Sequence, residues 1–305
     1  MRILLTGRNG QVGWELQRSL TVVGQVVPCD RSTADLSRPD TLKALIADVR
    51  PDVIVNAAAY TMVDKAEEEE ARATIINGEA VGVLAEQARL LGALFVHYST
   101  EYVFDGVKEG AYVESDATNP LNAYGRSKLA GERAVHAAGV DWLVFRTSWV
   151  YGVRGKNFLR TMLRLGAERE TLNVVADQFG APTPARMIAD VTAHVLREAA
   201  HERRAGTFES GILHLTAGGM TSWHGFASKI IDDARARLPA GAIKTKTVSP
   251  IPASAYPTPA RRPGNSVLDN TKLEDRFKIS RGSWEVGTDL VLDDVFEQMT
   301  ARQAC

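Results

Sequence analysis

The residues with the most specific chemistry are a tyrosine and a lysine four positions apart. Tyr124 and Lys128 fall on a predicted helix, where this spacing places both side chains on one face. A phenol has a pKa of about 10 and transfers a proton poorly at neutral pH unless it is tuned. An ammonium one turn away favours the phenolate, lowers that pKa and can bind ribose hydroxyls. The pair therefore predicts a proton-transfer site, although a tyrosine packed on the stem of a surface lysine has the same spacing.

Three glycines at the first strand–helix junction predict a dinucleotide site. The turn reads GRNGQVG, with Gly7, Gly10 and Gly13 between a predicted strand at 3–6 and a predicted helix at 11–20. Glycine permits a sharp turn and lets a pyrophosphate approach the free amides at the start of the helix. Any tight turn can contain one or two glycines, but three at this spacing and this junction favour NAD or NADP.

Polar residues also follow the second and fourth predicted strands. Asp30 stands where a carboxylate can accept hydrogen bonds from adenosine ribose hydroxyls, or it could cap a local turn. Arg31 could instead meet a 2′-phosphate, so NADH and NADPH both remain open. Thr100 ends the fourth strand, where its hydroxyl can enter the crevice at the carboxyl edge of the sheet or bond its own backbone.

The elements that must position these residues alternate between β-branched runs and helical patterns. The predicted strands are 3–6, 25–27, 53–56, 94–99 and 142–147, and the predicted helices are 11–20, 68–91, 124–138 and one that Ser37 would cap and that ends at 49. This alternation predicts the α/β class, a doubly wound parallel sheet of the Rossmann type. Residues 1–148 would form the dinucleotide-binding domain, with 170–216 partly rejoining it, and 149–169 with 217–305 a smaller, discontinuous substrate-binding lobe.

The second half of the chain has a looser pattern. It predicts helices at 157–168, 184–200, 223–238 with Ser222 as N-cap, and 285–302, and a strand at 212–216. Residues 239–265 are expected to be mostly irregular and end in a proline-rich stretch, which is either an exposed linker or a loop that covers a site. Arg261 and Arg262 there are candidates for binding a diphosphate, since guanidinium groups match phosphate geometry, or they are solvated loop residues.

The composition excludes several classes of protein. The 305 residues contain 36 Lys and Arg against 37 Asp and Glu, a net charge of −1, which gives no general attraction to nucleic acid or to an anionic membrane. The only cysteines, Cys29 and Cys305, rule out a disulfide framework or a cysteine-rich metal site. Apolar runs are strand-sized and the first residues do not resemble a signal peptide, so we expect a cytoplasmic protein with no nucleic-acid or membrane partner.

Together these features resemble the extended short-chain dehydrogenase/reductase superfamily, and within it the family of dTDP-4-dehydrorhamnose reductases. Matching segments cover the chain end to end and are more specific than the glycines alone. They are GRNGQVGWELQ (7–17), PDVIVNAAAYTMVDKAE (51–67), HYSTEYVFDG (97–106), NPLNAYGRSKLAGE (119–132), FRTSWVYG (145–152), DQFGAPT (177–183) and YPTPARRPGNS (256–266).

The resemblance implies reduction of the C4 ketone of dTDP-4-dehydro-L-rhamnose to dTDP-L-rhamnose by NADPH or NADH. It implies that Thr100, Tyr124 and Lys128 form the catalytic set, with Glu101 and Trp149 contacting the sugar nucleotide. Further positions that match residues lining the dinucleotide are Gly10, Gln11, Val12, Asp30, Asp35, Leu36, Ala59, Tyr60 and Thr61.

Two departures from the family pattern concern the sugar and a metal. The family usually has aspartate at the position of Glu101, so the longer side chain could move the sugar slightly. Some members dimerise around Mg²⁺, but the residue that matches one ligand is Arg186, a cation, although Asp293 and Asp294 remain. We therefore assign no residue of this chain as a metal ligand, and a dimer bridged by Mg²⁺ is in doubt. The expected state is a monomer or weak homodimer.

Two other functions remain open at this point. Another nucleotide-sugar epimerase or dehydratase would also carry the glycine turn and the tyrosine–lysine pair. A non-catalytic regulatory subunit of the same fold, as in methionine adenosyltransferase, would not need the intact set of Thr100, Tyr124 and Lys128. The exact nucleotide of the substrate is also left open by the sequence.

Overall fold

A parallel sheet with helices on both faces forms the centre of the computed structural model, which describes the backbone of residues 1–303 and the side chains of residues 1–299. The strands are β1 Arg2–Thr6, β2 Gln25–Pro28, β3 Val53–Asn56, β4 Leu94–Thr100, β5 Trp142–Thr147, β6 Val150–Tyr151, β7 Thr171–Val175, β8 Phe179–Gly180, β9 Thr183–Pro184, β10 Gly211–His214, β11 Thr221–Ser222 and β12 Thr247–Ile251. The helices are α1 Gln11–Ser19, α2 Asp40–Val49, α3 Val63–Ala66, α4 Glu70–Thr74, α5 Ala80–Leu91, α6 Ala123–Ala137, α7 Phe158–Glu168, α8 Ala185–Ala205, α9 Trp223–Arg237, α10 Thr271–Phe277 and α11 Trp284–Gln303.

The main sheet has the strand order β2-β1-β3-β4-β5-β10, and every pairing in it is parallel. Its order reverses between β1 and β3, and in such sheets ligands bind at the carboxyl edge beside that reversal. One apolar core packs α1 and α8 on one face, and a second packs α2, α5 and α6 on the other. The predicted fold class is therefore confirmed.

Burial on both faces explains why the central strands are apolar runs without alternation. Every residue of β4, LFVHYST, is buried, and so is every residue of β3 and β5. A parallel strand covered by helices on both sides exposes neither face to water. The polar side chains within β4 therefore depend on protein partners, which His97 and Thr100 have and the Ser99 hydroxyl lacks.

A second lobe packs around its own apolar core, to which α7, α9 and α11 contribute. Its small sheet pairs β7 in parallel with β12, from Thr171 opposite Thr247 to Val175 opposite Ile251. The strand β12 lies in the stretch expected to be mostly irregular, because its partner is more than 70 residues away and local patterning does not reveal it. Within the segment 170–216, α8 and β10 pack with the main sheet whereas β7 pairs with β12 in the lobe, and the bounds of the two domains remain predictions.

Two helix boundaries differ from the sequence-based expectation. Ser37 does not cap α2, because its hydroxyl donates to Asp35 Oδ1 (2.7 Å) and the helix begins at Asp40. The predicted helix 68–91 is interrupted by a π-helical turn at Ile75–Glu79, which joins α4 to α5. By contrast, Ser222 caps α9 as predicted and accepts a hydrogen bond from the Gly225 amide (3.0 Å).

None of the helices within residues 1–303 is long and apolar enough to cross a membrane. Cys29 is buried as a free thiol, whereas Cys305 lies outside the described residues.

Candidate active site

Thr100 contacts Tyr124 at the carboxyl end of β4, and Lys128 is held against Tyr98 of the same strand. Thr100 is the last residue of β4, and Tyr124 and Lys128 lie in the first turns of α6. Two side chains secure the start of α6: Asn122 Oδ1 accepts from the Gly125 amide (2.8 Å) and Glu67 Oε1 accepts from the Ala123 amide (2.8 Å). These caps satisfy amides that a helix start leaves unpaired, and so they fix where Tyr124 stands.

The environment of Tyr124 disfavours loss of its proton in the free protein. Burial raises the pKa of the phenol, the nearby Glu101 carboxyl raises it further, and the Thr100 hydroxyl opposes both. The expected lowering of this pKa by Lys128 is therefore wrong for the protein without coenzyme. The physical reason is that the phenol lies in a poorly solvated site, while the lysine amine is directed elsewhere.

Lys128 is a core residue, with 2% of its side chain exposed. Its Nζ donates to the Tyr98 carbonyl (2.6 Å) and lies 3.1 Å from His97 Nε2. Burial lowers the pKa of Lys128 to about 7, and the Glu132 carboxylate acts in the opposite direction. This environment excludes the alternative in which Tyr124 packs on the stem of a solvated lysine.

Thr100 is engaged by its neighbour Glu101. The threonine Oγ1 donates to Glu101 Oε2 (2.7 Å), and the carboxyl side chain is buried. Burial raises the pKa of Glu101 to about 7, although the hydrogen bond from Thr100 lowers it. A ketone that is to receive the Thr100 hydrogen must therefore compete with Glu101 for it. The expected contact of Glu101 with the sugar remains a prediction.

The glycine turn has the shape that a dinucleotide needs. Gly7 has a φ of +75°, and a Cβ at this residue would lie 2.6 Å from the Ala57 carbonyl carbon. A Cβ at Gly13 would lie 2.1 Å from the Gly7 oxygen. Gly10 caps α1 without a side chain, which leaves the first amides of the helix available to an anion. The turn therefore fits a pyrophosphate, with the polypeptide backbone as the binding surface.

Gln11 joins this turn to β6 and to the residue that caps α7. Its Nε2 donates to the Val150 carbonyl (3.3 Å), and its Oε1 accepts from Asn157 Nδ2 (2.9 Å). Val12 is partly buried and packs against the sheet. A cavity of about 710 Å³ lies beside the turn and is lined by Asn9, Trp14, Val153, Arg154, Gly155, Arg160 and Gln298.

The segment after β2 combines both interpretations of Asp30. Its Oδ1 accepts from the Ser32 amide (2.9 Å) and the Ser32 hydroxyl (2.6 Å), which is the turn-capping role. The carboxylate also stands at the strand end beside Arg8, with Oδ2 3.8 Å from the Arg8 Nε. The hydrogen bonds from Ser32 lower the pKa of Asp30. Asp30 is thus an ionised acceptor near the glycine turn.

The neighbours of Asp30 differ in accessibility. Arg31 is exposed, and its Nε lies 3.6 Å from Asp35 Oδ1, so it is free to turn toward a phosphate. The Leu36 side chain belongs to the apolar core, which leaves only its backbone for contact with a ligand. The roles of these residues toward the dinucleotide remain predictions.

Ala59, Tyr60 and Thr61 follow β3 and are held by a residue of the π-helical turn. Asn77 accepts from the Tyr60 amide (2.8 Å) and donates to the Tyr60 carbonyl (3.0 Å) and to Ser127 Oγ (2.9 Å). The π-turn thus ties the segment after β3 to the helix that carries Tyr124. The Tyr60 hydroxyl donates to Glu69 Oε2 (3.0 Å).

Trp149 has a strained backbone and a stacked side chain. Its φ of +47° lies in the left-handed region, which is rare for a bulky residue and common at functional sites. The indole stacks on Trp223 of α9, with ring centroids 3.5 Å apart and planes 8° apart. Gly180 lies against the same indole, since a Cβ there would come 2.6 Å from it. The stack connects the end of the main sheet to the second lobe.

The proline-rich segment packs over the catalytic end of the sheet. The Arg261 carbonyl accepts from Asn122 Nδ2 (2.8 Å), and both Arg262 terminal nitrogens donate to the Asp64 carboxylate (3.0 and 2.9 Å). This packing favours the covering loop over the exposed linker. Arg262 is already paired, whereas the Arg261 side chain is exposed and remains the better candidate for a diphosphate.

Arg186, at the position that matches a Mg²⁺ ligand of some family members, lies between carboxylates. Its Nη2 lies 2.8 Å from Asp294 Oδ2 and its Nε 3.6 Å from Glu15 Oε2, while Asp293 pairs with Arg237. Within the described part of the chain, no group of three or more His, Cys, Asp or Glu residues could hold a metal ion. The guanidinium neutralises acids that would otherwise repel each other.

Sequence reasoning missed several residues that build this site. Glu132 and Arg146 form a buried bidentate pair (2.9 and 2.7 Å) behind Lys128. His97 lies within a continuous apolar strand, and Asn77 lies inside a predicted regular helix. Only the burial of Arg146 and His97 in strands predicted to be covered on both sides could have indicated that they need partners.

Comparisons with known proteins agree with this geometry. The family model described as RmlD substrate binding domain matches residues 1–297. The dTDP-4-dehydrorhamnose reductase of Burkholderia thailandensis is 59% identical over 298 residues, which are 98% of this chain and 100% of the relative. That of Salmonella typhimurium is 47% identical over 98% of this chain and 100% of the relative. A crystal structure of dTDP-4-dehydrorhamnose reductase from Bacillus anthracis in complex with NADP superposes with a TM-score of 0.87, at 34% identity over 96% of this chain and 99% of that one.

Proposed function

Since the chain belongs to the RmlD substrate binding domain family, we propose that it reduces the C4 ketone of dTDP-4-dehydro-L-rhamnose to dTDP-L-rhamnose with NADPH or NADH. The observation that carries the proposal is the contact of the Thr100 hydroxyl with the Tyr124 phenol at the carboxyl end of β4, with Lys128 held against Tyr98 of the same strand. The glycine turn lies on the same sheet and fits a dinucleotide. The relatives that match along the whole chain bear the name of this reductase.

The residues of the chain divide the reaction between them. The coenzyme, when bound, supplies the hydride for the C4 carbon. Tyr124 donates its proton to the oxygen that becomes the hydroxyl, and Thr100 hydrogen-bonds the same oxygen and stabilises its developing charge. Lys128 holds the ribose hydroxyls of the coenzyme through its terminal amine. The buried Lys128 and the partly buried Tyr124 limit the access of bulk water to this proton transfer.

The test is the absorbance of reduced nicotinamide with the purified chain, freshly made 4-keto sugar nucleotide and each coenzyme in turn. We expect one reduced coenzyme consumed for each ketone. An epimerase or dehydratase would turn over without net consumption, and failure with both coenzymes would favour the regulatory-subunit alternative. Replacing the dTDP moiety by UDP in the same assay tests the nucleotide.

We also propose a cytoplasmic location and a monomer or weak homodimer. The ion pairs that occupy Arg186, Asp293 and Asp294 support a state without a bridging metal. Sedimentation velocity with and without Mg²⁺ tests it, and a tight dimer that depends on the metal would contradict it.

A further inference from the structure

A chain of buried polar groups behind Lys128 has no role in the mechanism above. Thr6 Oγ1 donates to Asn56 Oδ1 (2.6 Å), Asn56 Nδ2 lies 3.0 Å from His97 Nδ1, and His97 Nε2 lies 3.1 Å from Lys128 Nζ. None of the four side chains is more than 2% exposed. Because water cannot replace a missing partner here, the hydrogens along the chain must be mutually consistent.

The orientation of the Asn56 amide follows from a main-chain donor. The Ala58 amide donates to Asn56 Oδ1 (3.3 Å), and a backbone N–H has no capacity to accept. Oδ1 therefore faces Ala58 and Thr6, and the NH₂ group faces His97. Since an NH₂ group only donates, His97 Nδ1 is the acceptor and carries no hydrogen. A neutral imidazole of this kind carries its hydrogen on Nε2, the atom that faces the lysine.

The lysine must then accept the hydrogen of His97. An ammonium has three donors and no lone pair, so facing it with Nε2–H would set two donors against each other. A neutral amine can accept from His97 Nε2 and still donate to the Tyr98 carbonyl, which lies 2.6 Å from Nζ. Both contacts are satisfied only if Lys128 is neutral in the free protein.

We propose that His97 is a positioning residue that holds Lys128 as a neutral amine in the free protein, and that Lys128 takes up a proton from the solvent when the nicotinamide coenzyme binds. The inference rests on the proposed function only in requiring that a coenzyme bind next to this lysine. Ribose hydroxyls can accept hydrogen bonds and phosphates carry negative charge, and both favour the ammonium. The proton taken from the buffer forms one new N–H bond on Nζ.

The charged groups around Lys128 are consistent with this exchange. Burial lowers the pKa of Lys128 to about 7, and the opposing Glu132 carboxylate is held by Arg146. Burial, and then the nearby lysine, lower the pKa of His97 well below its usual value, so its ring stays neutral at pH 6 to 8. Glu101 lies beside Thr100 and raises the pKa of Tyr124, and burial and Glu132 are the causes that shift the pKa of Lys128.

Two measurements on the whole protein test the proposal. In the free protein near pH 8, a ¹H–¹⁵N spectrum of the imidazole rings should assign the His97 hydrogen to Nε2. Calorimetry of NADH binding in buffers with different ionisation enthalpies should then count the protons taken up. With a free pKa of about 7 for Lys128, we expect about 0.9 proton per coenzyme near pH 8 and about 0.1 near pH 6. NADH is the probe because it lacks the 2′-phosphate, which itself titrates near pH 6.

Variants assign the proton to the proposed chain. In Asn56→Asp, a carboxylate can accept from Ala58, Thr6 and His97, so the ring hydrogen should move to Nδ1 and the bare Nε2 should accept from a protonated lysine. Proton uptake near pH 8 should then fall to about zero. Lys128→Met should also abolish it. Glu101→Gln, which removes the other group with a pKa of about 7, should retain it.

The matched control is His194→Gln. The His194 ring lies on α8 and contacts the Phe277 carbonyl (3.0 Å), away from Lys128, so this variant should leave proton uptake unchanged. An Nδ1–H hydrogen on His97 in the free wild-type protein overturns the proposal, and so does equal uptake by the wild type and Asn56→Asp. Thermal unfolding shows whether each variant folds, and the wild-type spectrum decides alone if Asn56→Asp does not. Because no sugar is used, a lack of reductase turnover would be a separate result.

Discussion

The glycine turn and the catalytic end of β4 use different chemical groups. The turn is made of backbone amides and of space that Gly7 and Gly13 leave open. The catalytic end is made of side chains in a poorly solvated site, and their partners include residues of other segments, such as His97 beside Lys128 and Glu101 beside Tyr124. The glycine turn therefore depends on sterics and is insensitive to pH, whereas the catalytic end of β4 depends on charges in a poorly solvated site and responds to pH.

The largest effect is expected from removing the phenol. Tyr124→Phe should lower kcat by about 10²- to 10⁴-fold, because the proton donor is lost, while coenzyme binding at the glycine turn persists. Stopped assays and a coenzyme titration check the two effects. The control is Tyr256→Phe, an exposed tyrosine of the proline-rich segment. Retained turnover in Tyr124→Phe would remove this residue from its role.

Breaking the buried ion pair should destabilise the catalytic half. Glu132→Gln leaves Arg146 buried without its charge partner, which should cost about 3–5 kcal/mol in the free energy of unfolding. Glu168→Gln disrupts the exposed pair with Arg164 and should cost at most about 1 kcal/mol. Urea denaturation measures both, and equal losses would contradict the distinction between buried and exposed pairs.

A methyl group added within the glycine turn tests whether its backbone binds the coenzyme. Gly13→Ala would place a methyl group 2.1 Å from the Gly7 oxygen, so the turn must shift, at a cost of about 1–3 kcal/mol and with loss of coenzyme affinity. The control is Gly282→Ala, where the nearest atom lies 4.0 Å away and the chain should tolerate the methyl group. Coenzyme titration and thermal unfolding provide the readouts. Unchanged affinity in Gly13→Ala would show that the turn does not bind the pyrophosphate.

The smallest expected effect is a change of pH profile. Glu101 ionises with a pKa of about 7, and its carboxylate raises the pKa of Tyr124. Glu101→Gln should remove this transition from the dependence of kcat on pH. In the wild type, the free energy of unfolding should fall as the pH rises from about 4.3, the pKa of this carboxyl in the unfolded chain, toward 7, because only the folded carboxyl retains its proton in that range. Glu101→Gln should abolish this fall. Glu68→Gln, an exposed acid, should leave both profiles unchanged.

Local patterns predicted much of the fold and of the reacting groups. The alternation of strand and helix patterns predicts the parallel sheet, since strand burial and helix periodicity depend on residues that are close together in the sequence. Local patterns do not predict β12, because its partner strand is distant in the sequence. They do not predict the π-turn at Ile75–Glu79 either, because the contacts of Asn77 with Tyr60 and Ser127 stabilise it. Ser37 was wrongly assigned as a cap because Asp35 competes for its hydroxyl.

By itself the sequence determined which groups can react and where glycine is required, because residue type sets the available chemistry and a glycine turn acts through its own backbone. Only the tertiary structure decided in which direction the pKa values of Tyr124, Lys128 and Glu101 shift. The causes are burial and neighbouring charges, because the free energy of an ionised group varies with its distance from water and from other charges.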